Sequence, residues 1–337
     1  LKLIVQIPCF NEAETLPITV AGIPRVMDGF DSIEILVVDD GSQDGTAEIA
    51  GELGVDHIVR VPENRGLANA FALGLATALE QGADIIVNTD GDNQYPGDEI
   101  ATLIQPILDG EADMVVGDRQ VRTIQHFSPM KKLLQQAGSW VVRWASGTRV
   151  PDATSGFRAF SKEAALHIVI YSSYTYTLET IIQAGKKGLA VRSVPIRSNP
   201  KLRESRLIRS TGRYVLASAA TILRIFLMYE PLKVFLSLGA LLATAGVAIF
   251  ARFTYFYFVG QGQGHVQSLI AASVLIFLGF QTFLLGLLSD LIARNRRITE
   301  EISYQIRKAR ASGAAVNAQP GRSKENRAVR RSRGRPH

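Results

Sequence analysis

Short apolar runs rich in β-branched residues recur along the first part of the chain, each closed by polar turn residues. Leu3–Pro8, Ile33–Val38, His57–Val61, Ile85–Asn88, Met114–Val116 and Ala190–Ile196 predict strands. Helical patterns alternate with them. Asn11 and Glu12 open a helix carrying Leu16 and Val20, and Asp44-Gly45-Thr46 starts one reaching Leu53. Gly66–Leu79 predicts a helix of small residues, Ala68, Ala70, Ala72, Gly74 and Ala76, suited to close packing on a sheet. Ser128–Ala145 reads as an amphipathic helix with Met130, Leu133, Leu134, Trp140, Val141 and Trp144 as its apolar positions. Strand–helix alternation predicts an α/β fold with a mostly parallel, doubly wound sheet. Ligands bind such sheets beyond the carboxyl ends of the strands. Glu12, Asp39, Asp40, Asp90, Asp92 and Arg119 all follow predicted strands, so one pocket is expected to collect them.

The pattern changes after the last predicted strand. Asn199–Arg213 is cationic, and Leu207–Met228 turns helical and amphipathic with Arg209, Arg213 and Arg224 among its apolar positions. A basic amphipathic helix beside a membrane span is expected to lie on the headgroup surface. Val234–Ala251 and Ser268–Ser289 contain no charged residue. Each is long enough to cross about 30 Å of hydrocarbon. Tyr255 and Tyr257 between them suit an interfacial belt, and arginines flank the pair on both outer sides. The positive-inside rule then predicts cytoplasmic termini and a cytoplasmic α/β domain. The expected division is 1–206, 207–230, 231–292 and 293–337: catalytic domain, interface helices, membrane hairpin, then a basic helix with a disordered tail.

Composition agrees with a globular part joined to a membrane part: 47% hydrophobic and 20% charged residues, and a mean hydropathy of +0.12. The formal charge of +6 is uneven, because Arg307–His337 holds ten Lys/Arg against Glu325 alone. The rest of the chain is therefore slightly acidic, which argues against nucleic-acid binding by the folded part. The single cysteine, Cys9, permits no internal disulfide. It lies in an apolar strand, where a buried inert thiol is expected. The chain opens directly on a strand, so no signal peptide is expected.

The chemistry concentrates at Asp90-Gly91-Asp92-Asn93-Gln94, directly after an apolar strand. Alternate residues of an extended chain point the same way, so Asp90 and Asp92 can face one point. Two carboxylates there repel unless a cation lies between them, and Mg²⁺ commonly shares such oxygen sites with substrate phosphates. The other reading is an acidic turn that caps the next helix.

Four motifs in order support a family. They are Pro8-Cys9-Phe10-Asn11-Glu12; Val37-Val38-Asp39-Asp40-Gly41-Ser42 with Asp44-Gly45-Thr46; Asp90-Gly91-Asp92-Asn93-Gln94; and Asp152 with Ser155-Gly156-Phe157-Arg158. The series resembles family 2 glycosyltransferases with the GT-A fold, a Rossmann-like α/β domain. Within them it is similar to the polyprenyl-phosphate glycosyltransferases, including dolichol-phosphate mannose synthase. The resemblance covers roughly residues 1 to 230, and the two spans match a bacterial branch with two C-terminal helices.

The resemblance implies roles. Pro8, Phe10, Glu12, Asp40 and Asp90 would line the nucleotide pocket, with Asp40 toward the base. Asp90, Asp92 and Gln94 would hold Mg²⁺ or Mn²⁺ on the donor diphosphate. Arg119 would lie near the phosphates, and Lys201, Arg203, Ser205 and Arg206 would meet donor or acceptor phosphate. Arg203-Glu204 stands where the family usually has glycine before that serine. Asp92, Asp152 and Arg119 are the expected catalytic residues. Asp152 would orient acceptor or sugar; a loop cap is its structural alternative. Glu179 is read the same way, or as a helix start. The implied reaction moves a sugar from a UDP- or GDP-linked donor to a polyprenyl phosphate, with inversion. Membrane lipid is the expected surroundings, and a homo-tetramer the implied assembly. Two rivals stand beside this reading. A processive polysaccharide synthase would carry Gln-x-x-Arg-Trp after Asp152, whereas Trp140-Val141-Val142-Arg143-Trp144 precedes it. A non-catalytic membrane adaptor would not need the Asp90, Asp92, Gln94 set.

Overall fold

The computed structural model describes residues 1–120, 129–171, 176–200, 229–260 and 266–317, with isolated positions at 220, 223–224 and 227; for 129–137 and 312–317 it describes backbone alone. Lys201, Arg203, Ser205 and Arg206 lie outside the described residues, as do most of 207–228 and all of 318–337.

Two compact units form: Leu1–Ile222 with Ile302–His337, and Leu223–Glu301. The first unit is built on a seven-stranded sheet in the order β3-β2-β1-β4-β6-β5-β7. The strands are β1 (Lys2–Cys9), β2 (Ser32–Asp39), β3 (His57–Arg60), β4 (Ile85–Asn88), β5 (Met114–Asp118), β6 (Arg158–Ser161) and β7 (Val191–Pro195). The helices are α1 (Leu16–Gly22), α2 (Thr46–Glu52), α3 (Leu67–Glu80), α4 (Glu99–Leu108), α5 (Pro129–Ser146), α6 (Lys162–His167) and α7 (Thr177–Lys186). Leu3, Val5 and Ile7 of β1 share one core with Leu16, Val20, Ile100 and Leu103. The opposite face of β1 meets α3, where a Cβ on Gly74 would stand 2.6 Å from Gln6 Oε1. A sheet covered on both faces explains strands that read as unbroken apolar runs.

Two elements differ from the sequence reading. β6 replaces an expected loop end, and it runs antiparallel to both β4 and β5. Its four residues, Arg-Ala-Phe-Ser, are too short and mixed to carry a strand period. α1 begins at Leu16 rather than at Asn11, which holds φ +55°. That left-handed backbone does not continue into a helix. The sequence left open which face of α5 the domain covers: Val142, Ala145, Ser139 and Ser146 are buried, whereas Trp140 and Trp144 are exposed.

The second unit holds α8 (Pro231–Phe258) and most of α9 (Val266–Asn317), both long and apolar enough to cross a membrane. They meet through small residues. A Cβ at Gly279 would stand 2.8 Å from Gly239 O and 2.9 Å from Ala243 N. Such close backbone approach is how helices associate where lipid removes the hydrophobic drive. α9 continues into the first unit, where Tyr304, Arg307, Lys308 and Ala311 form one face. Tyr304 Oη donates to Glu163 (2.8 Å) and its ring stacks on His167 at 4.2 Å. Arg307 donates to Ile168 O (2.6 Å), Lys308 to Tyr304 Oη (3.0 Å), and Ala311 is buried.

Candidate active site

The carboxyl ends of β1, β2 and β4 lie on one edge because these strands are parallel. The antiparallel β6 brings its amino end there instead: Arg158 pairs with Asn88 on one side and with Val116 on the other. The 152–157 loop therefore enters at the same edge as Asp90 and Arg119.

At the floor lies a buried polar network. Gln6 Nε2 donates to Asn88 Oδ1 (2.8 Å), and Asn88 Nδ2 donates to Gly156 O (2.8 Å) and to Tyr176 Oη (2.9 Å). Gly156 N donates to Tyr95 Oη (3.1 Å), and Tyr95 stacks on Phe157 at 5.0 Å. Burial pushes the Tyr95 phenol up to about 12, so it stays a neutral hydroxyl. These bonds rigidify the floor, although Gln6 Oε1 itself meets no hydrogen-bond donor among the described residues. Neither Asn88, Tyr95 nor Tyr176 stood out in the sequence as a site residue. A lone asparagine ending an apolar strand was the one available signal.

Asp90 stands directly on this floor. A Cβ at Gly156 would be 2.8 Å from each Asp90 carboxylate oxygen and 3.1 Å from Tyr176 Oη. Only glycine leaves room for the carboxylate. Burial, then the nearby charge of Asp92, push Asp90 up to about 7, against the pull of Arg119. Asp92 Oδ1 accepts from Gln94 N (3.1 Å), and Gln94 O accepts from Asn199 N (2.9 Å). Gly91 packs against Glu12, whose Cγ would be 3.2 Å from an added Cβ. Glu12 also accepts from Thr15 Oγ1 (2.8 Å). Thus Glu12, Asp90 and Asp92 gather as expected at one edge.

Arg119 and Asp152 meet. Nε donates to Oδ2 (2.7 Å) and Nη2 to Oδ1 (3.0 Å), and Nη2 also donates to Thr154 Oγ1 (2.8 Å). Burial alone would raise Asp152, but the Arg119 charge and its hydrogen bonds hold it below the usual carboxylate range. Arg158 is fully buried and donates to Ser155 O (2.8 Å), Ala153 O (2.9 Å), Thr177 O (2.7 Å) and Thr180 Oγ1. Desolvation lowers its guanidinium to about 10, so it remains charged. It pins the 152–157 loop onto α7 and adds a positive charge near Asp90.

The remaining expected residues are placed as follows. Pro8 is buried in β1, opposite Val38. Phe10 is exposed at the rim. Asp40 is buried, and its two oxygens accept from Arg65 N (2.9 Å) and Gly66 N (2.8 Å), which anchors the loop before α3. Glu179 is buried and accepts from Tyr171 N (3.0 Å) and Gln183 Nε2 (3.1 Å), tying Tyr171 to α7. Burial, with Glu12 and Asp39 nearby, pushes the Cys9 thiol up, consistent with an inert side chain.

No group of three or more His, Cys, Asp or Glu side chains among the described residues makes a metal site by itself. The Asp90 seat nonetheless fits a cation. Burial and the Asp92 charge raise the proton affinity of Asp90 there, and a divalent ion shared with substrate oxygens would offset that repulsion.

The architecture is that of a GT-A-like domain: an α/β unit with a mostly parallel sheet and an acidic pair beyond β4. Residues 4–168 match the family model Glycosyl transferase family 2. The chain is 30% identical over 206 residues to a polyprenol monophosphomannose synthase of Mycolicibacterium smegmatis, covering 58% of this chain and 76% of that protein. It is 32% identical over 214 residues to a UDP-N-acetylglucosamine--dolichyl-phosphate N-acetylglucosaminyltransferase of Methanococcus voltae, covering 57% and 83%. A similar fold is seen in glucosyl-3-phosphoglycerate synthase from Mycobacterium tuberculosis, solved with Mn²⁺, UDP-glucose and phosphoglyceric acid. The TM-score is 0.53 at 23% identity, over 66% of this chain and 79% of that one. The chain belongs to glycosyl transferase family 2 and is a glycosyltransferase. This removes the non-catalytic adaptor as a reading.

Proposed function

We propose that this glycosyltransferase moves a sugar from a nucleoside-diphosphate donor to a polyprenyl phosphate at the cytoplasmic face of a membrane, with inversion. The observation that carries the reading is the seat of Asp90 against Gly156, between Asp92 and the Arg119–Asp152 pair. The names of the M. smegmatis and M. voltae relatives support a lipid-phosphate acceptor. α8 and α9 supply the membrane-length helices that such an acceptor calls for.

Asp90 and Asp92, with Gln94 beside them, would hold Mg²⁺ or Mn²⁺. Bound there, the ion would neutralise charge on the departing nucleoside diphosphate. Pro8, Phe10, Glu12 and Asp40 line the nucleotide side of this reading. A phosphate monoester has its second pKa near 6, so the acceptor is largely dianionic at neutral pH. Its oxygen attacks the anomeric carbon, the bond to the diphosphate oxygen breaks, and the electron pair leaves with the diphosphate. No proton need be removed, so the task of the protein is positioning and charge screening. Arg119, held by Asp152, and the cations Lys201, Arg203 and Arg206, with Ser205, would screen the phosphates. UDP and GDP donors both fit, and the homo-tetramer remains part of the proposal.

The test is purified full-length protein, Mg²⁺ or Mn²⁺, a panel of UDP- and GDP-sugars and polyprenyl phosphate, with mass spectrometry of the lipid product. A lipid-linked monosaccharide from wild type and its loss in Asp92→Asn support the reading. Unchanged turnover in Asp92→Asn would remove the metal site, and a polymer in place of a monosaccharide would revive the synthase rival.

A further inference from the structure

The end strand β7 sends its chain back across the carboxyl edge of the sheet. In the sheet order β5 and β6 separate β7 from β4. Ile196 N donates to Asp118 O (3.0 Å), at the end of β5, yet Asn199 is bonded to the loop that follows β4. Residues 196–199 thus form a strap across the edge. Ile196 is its inner anchor: it is buried, and a Cβ at Gly117 would stand 2.8 Å from Ile196 Cδ1 and 3.1 Å from Phe157 Cδ1. Arg197 is its outer anchor, donating to Asp98 (2.6 Å) and to Glu99.

Asn199 closes the strap on the acidic loop. Its main-chain N–H donates to Gln94 O (2.9 Å), and its Nδ2 donates to Asn93 O (3.0 Å). One residue thereby holds two successive carbonyls. Pro200 follows and favours extended backbone at Asn199, which keeps that N–H out of a helix and available to the loop.

The held peptides lie where the loop turns. Asn93 has φ +56°, in the left-handed region. A residue other than glycine stays there when its surroundings fix it. The turn sets Gln94 against Asp92, whose Oδ1 accepts from Gln94 N (3.1 Å). A cation drawn to Asp92 competes for that same carboxylate. The bonds from Asn199 use carbonyls alone, so they hold the turn whether or not Asp92 is engaged.

We infer that Asn199 is a positioning residue for the cation seat: it fixes the turn at Asn93, and so places Asp92 and Gln94 for a divalent ion shared with the donor diphosphate. This rests on the cation proposed above and deepens it. Asn199 acts through the Asn93 and Gln94 carbonyls.

Asn199→Ala and Asn199→Leu test it in purified full-length protein. Leucine matches asparagine in size and branching and keeps the main-chain bond, but it offers no side-chain donor to Asn93 O. Mn²⁺ binding is measured calorimetrically with UDP and, separately, with GDP, and turnover is followed against Mn²⁺ concentration. Both variants are expected to bind Mn²⁺ about 10-fold more weakly or worse, the scale on which partners that orient metal ligands act. They should raise the Mn²⁺ needed for half-maximal turnover more than they lower kcat. Unchanged Mn²⁺ affinity in both variants overturns the inference, whatever happens to the melting temperature. Weakening in Asn199→Ala that Asn199→Leu does not share overturns the hydrogen-bond assignment, because leucine fills the same space. A loss confined to kcat overturns it as well. Hydrogen exchange of metal-free wild type reads the contact without a substitution: the Asn199 amide is expected to be protected, and free exchange there overturns the inference. Absence of Mn²⁺ binding in wild type removes the cation reading and this inference with it. Wild-type binding that both variants retain removes this inference alone.

Discussion

Arg119 grips Asp152 through both ends of its fork, Nε at 2.7 Å and Nη2 at 3.0 Å, although the two residues are 33 positions apart. Their side chains are 11% and 1% exposed. Removing one partner leaves the other charge buried, at a cost of about 3–5 kcal/mol. Asp152→Ala is expected to lower the unfolding free energy by that order and to abolish transfer. Urea unfolding and product formation check this. The Asp152 carboxyl is held below its unfolded value near 3.9. Its contribution is thus fully present above that pH and lost as pH falls through the lower folded value. Urea midpoints of wild type should fall more steeply toward acid than those of Asp152→Asn.

Gly156→Ala tests the seat of Asp90. The new Cβ would press on both carboxylate oxygens at 2.8 Å and force them to move. Displacing groups that orient a metal ligand typically costs about 10- to 100-fold in affinity or activity. A loss of that order is expected in Mn²⁺ dependence of turnover, with a much smaller change in melting temperature.

Asp90 is pushed up to about 7, so protons compete with a cation for it. Apparent Mn²⁺ affinity, followed calorimetrically with a nucleoside diphosphate present, should rise with pH through that value and then level. Asp92 is one cause of the upward shift. In Asp92→Asn the remaining titration should move to lower pH while affinity falls.

In the membrane hairpin, Gly279→Leu would drive a side chain into Gly239 O and Ala243 N, both backbone atoms. Loss of α8–α9 packing is expected, read as a lower melting temperature in detergent. Nucleotide binding by the sheet domain should be retained.

Tyr304 joins α9 to α6 through Glu163 and His167. Tyr304→Ala should speed hydrogen exchange in α6 and in residues 302–311, with β1 and β2 unaffected.

Six of the seven strands, the membrane-length helices and the acidic pair were readable from the chain alone. Each depends on local pattern: β-branched runs, uncharged stretches, and Asp90 and Asp92 one residue apart. Glu12, Asp90 and Asp92 were expected at one edge because parallel strands put their carboxyl ends together. Other features depended on contacts between distant segments. β6 is a strand because β4 and β5 supply partners on both sides, not because Arg158–Ser161 carries a strand signal. Its reversed direction delivers Gly156 to Asp90 and Asp152 to Arg119. The orientation of α5 was likewise undecided by its own period. A helical stripe shows that two faces differ, but α7 and the Asp152 loop bury the one with Ser139 and Val142 and leave the tryptophans outside. Hydrophobic periodicity reports a difference between faces; which of them a domain covers depends on close packing with elements far away in sequence.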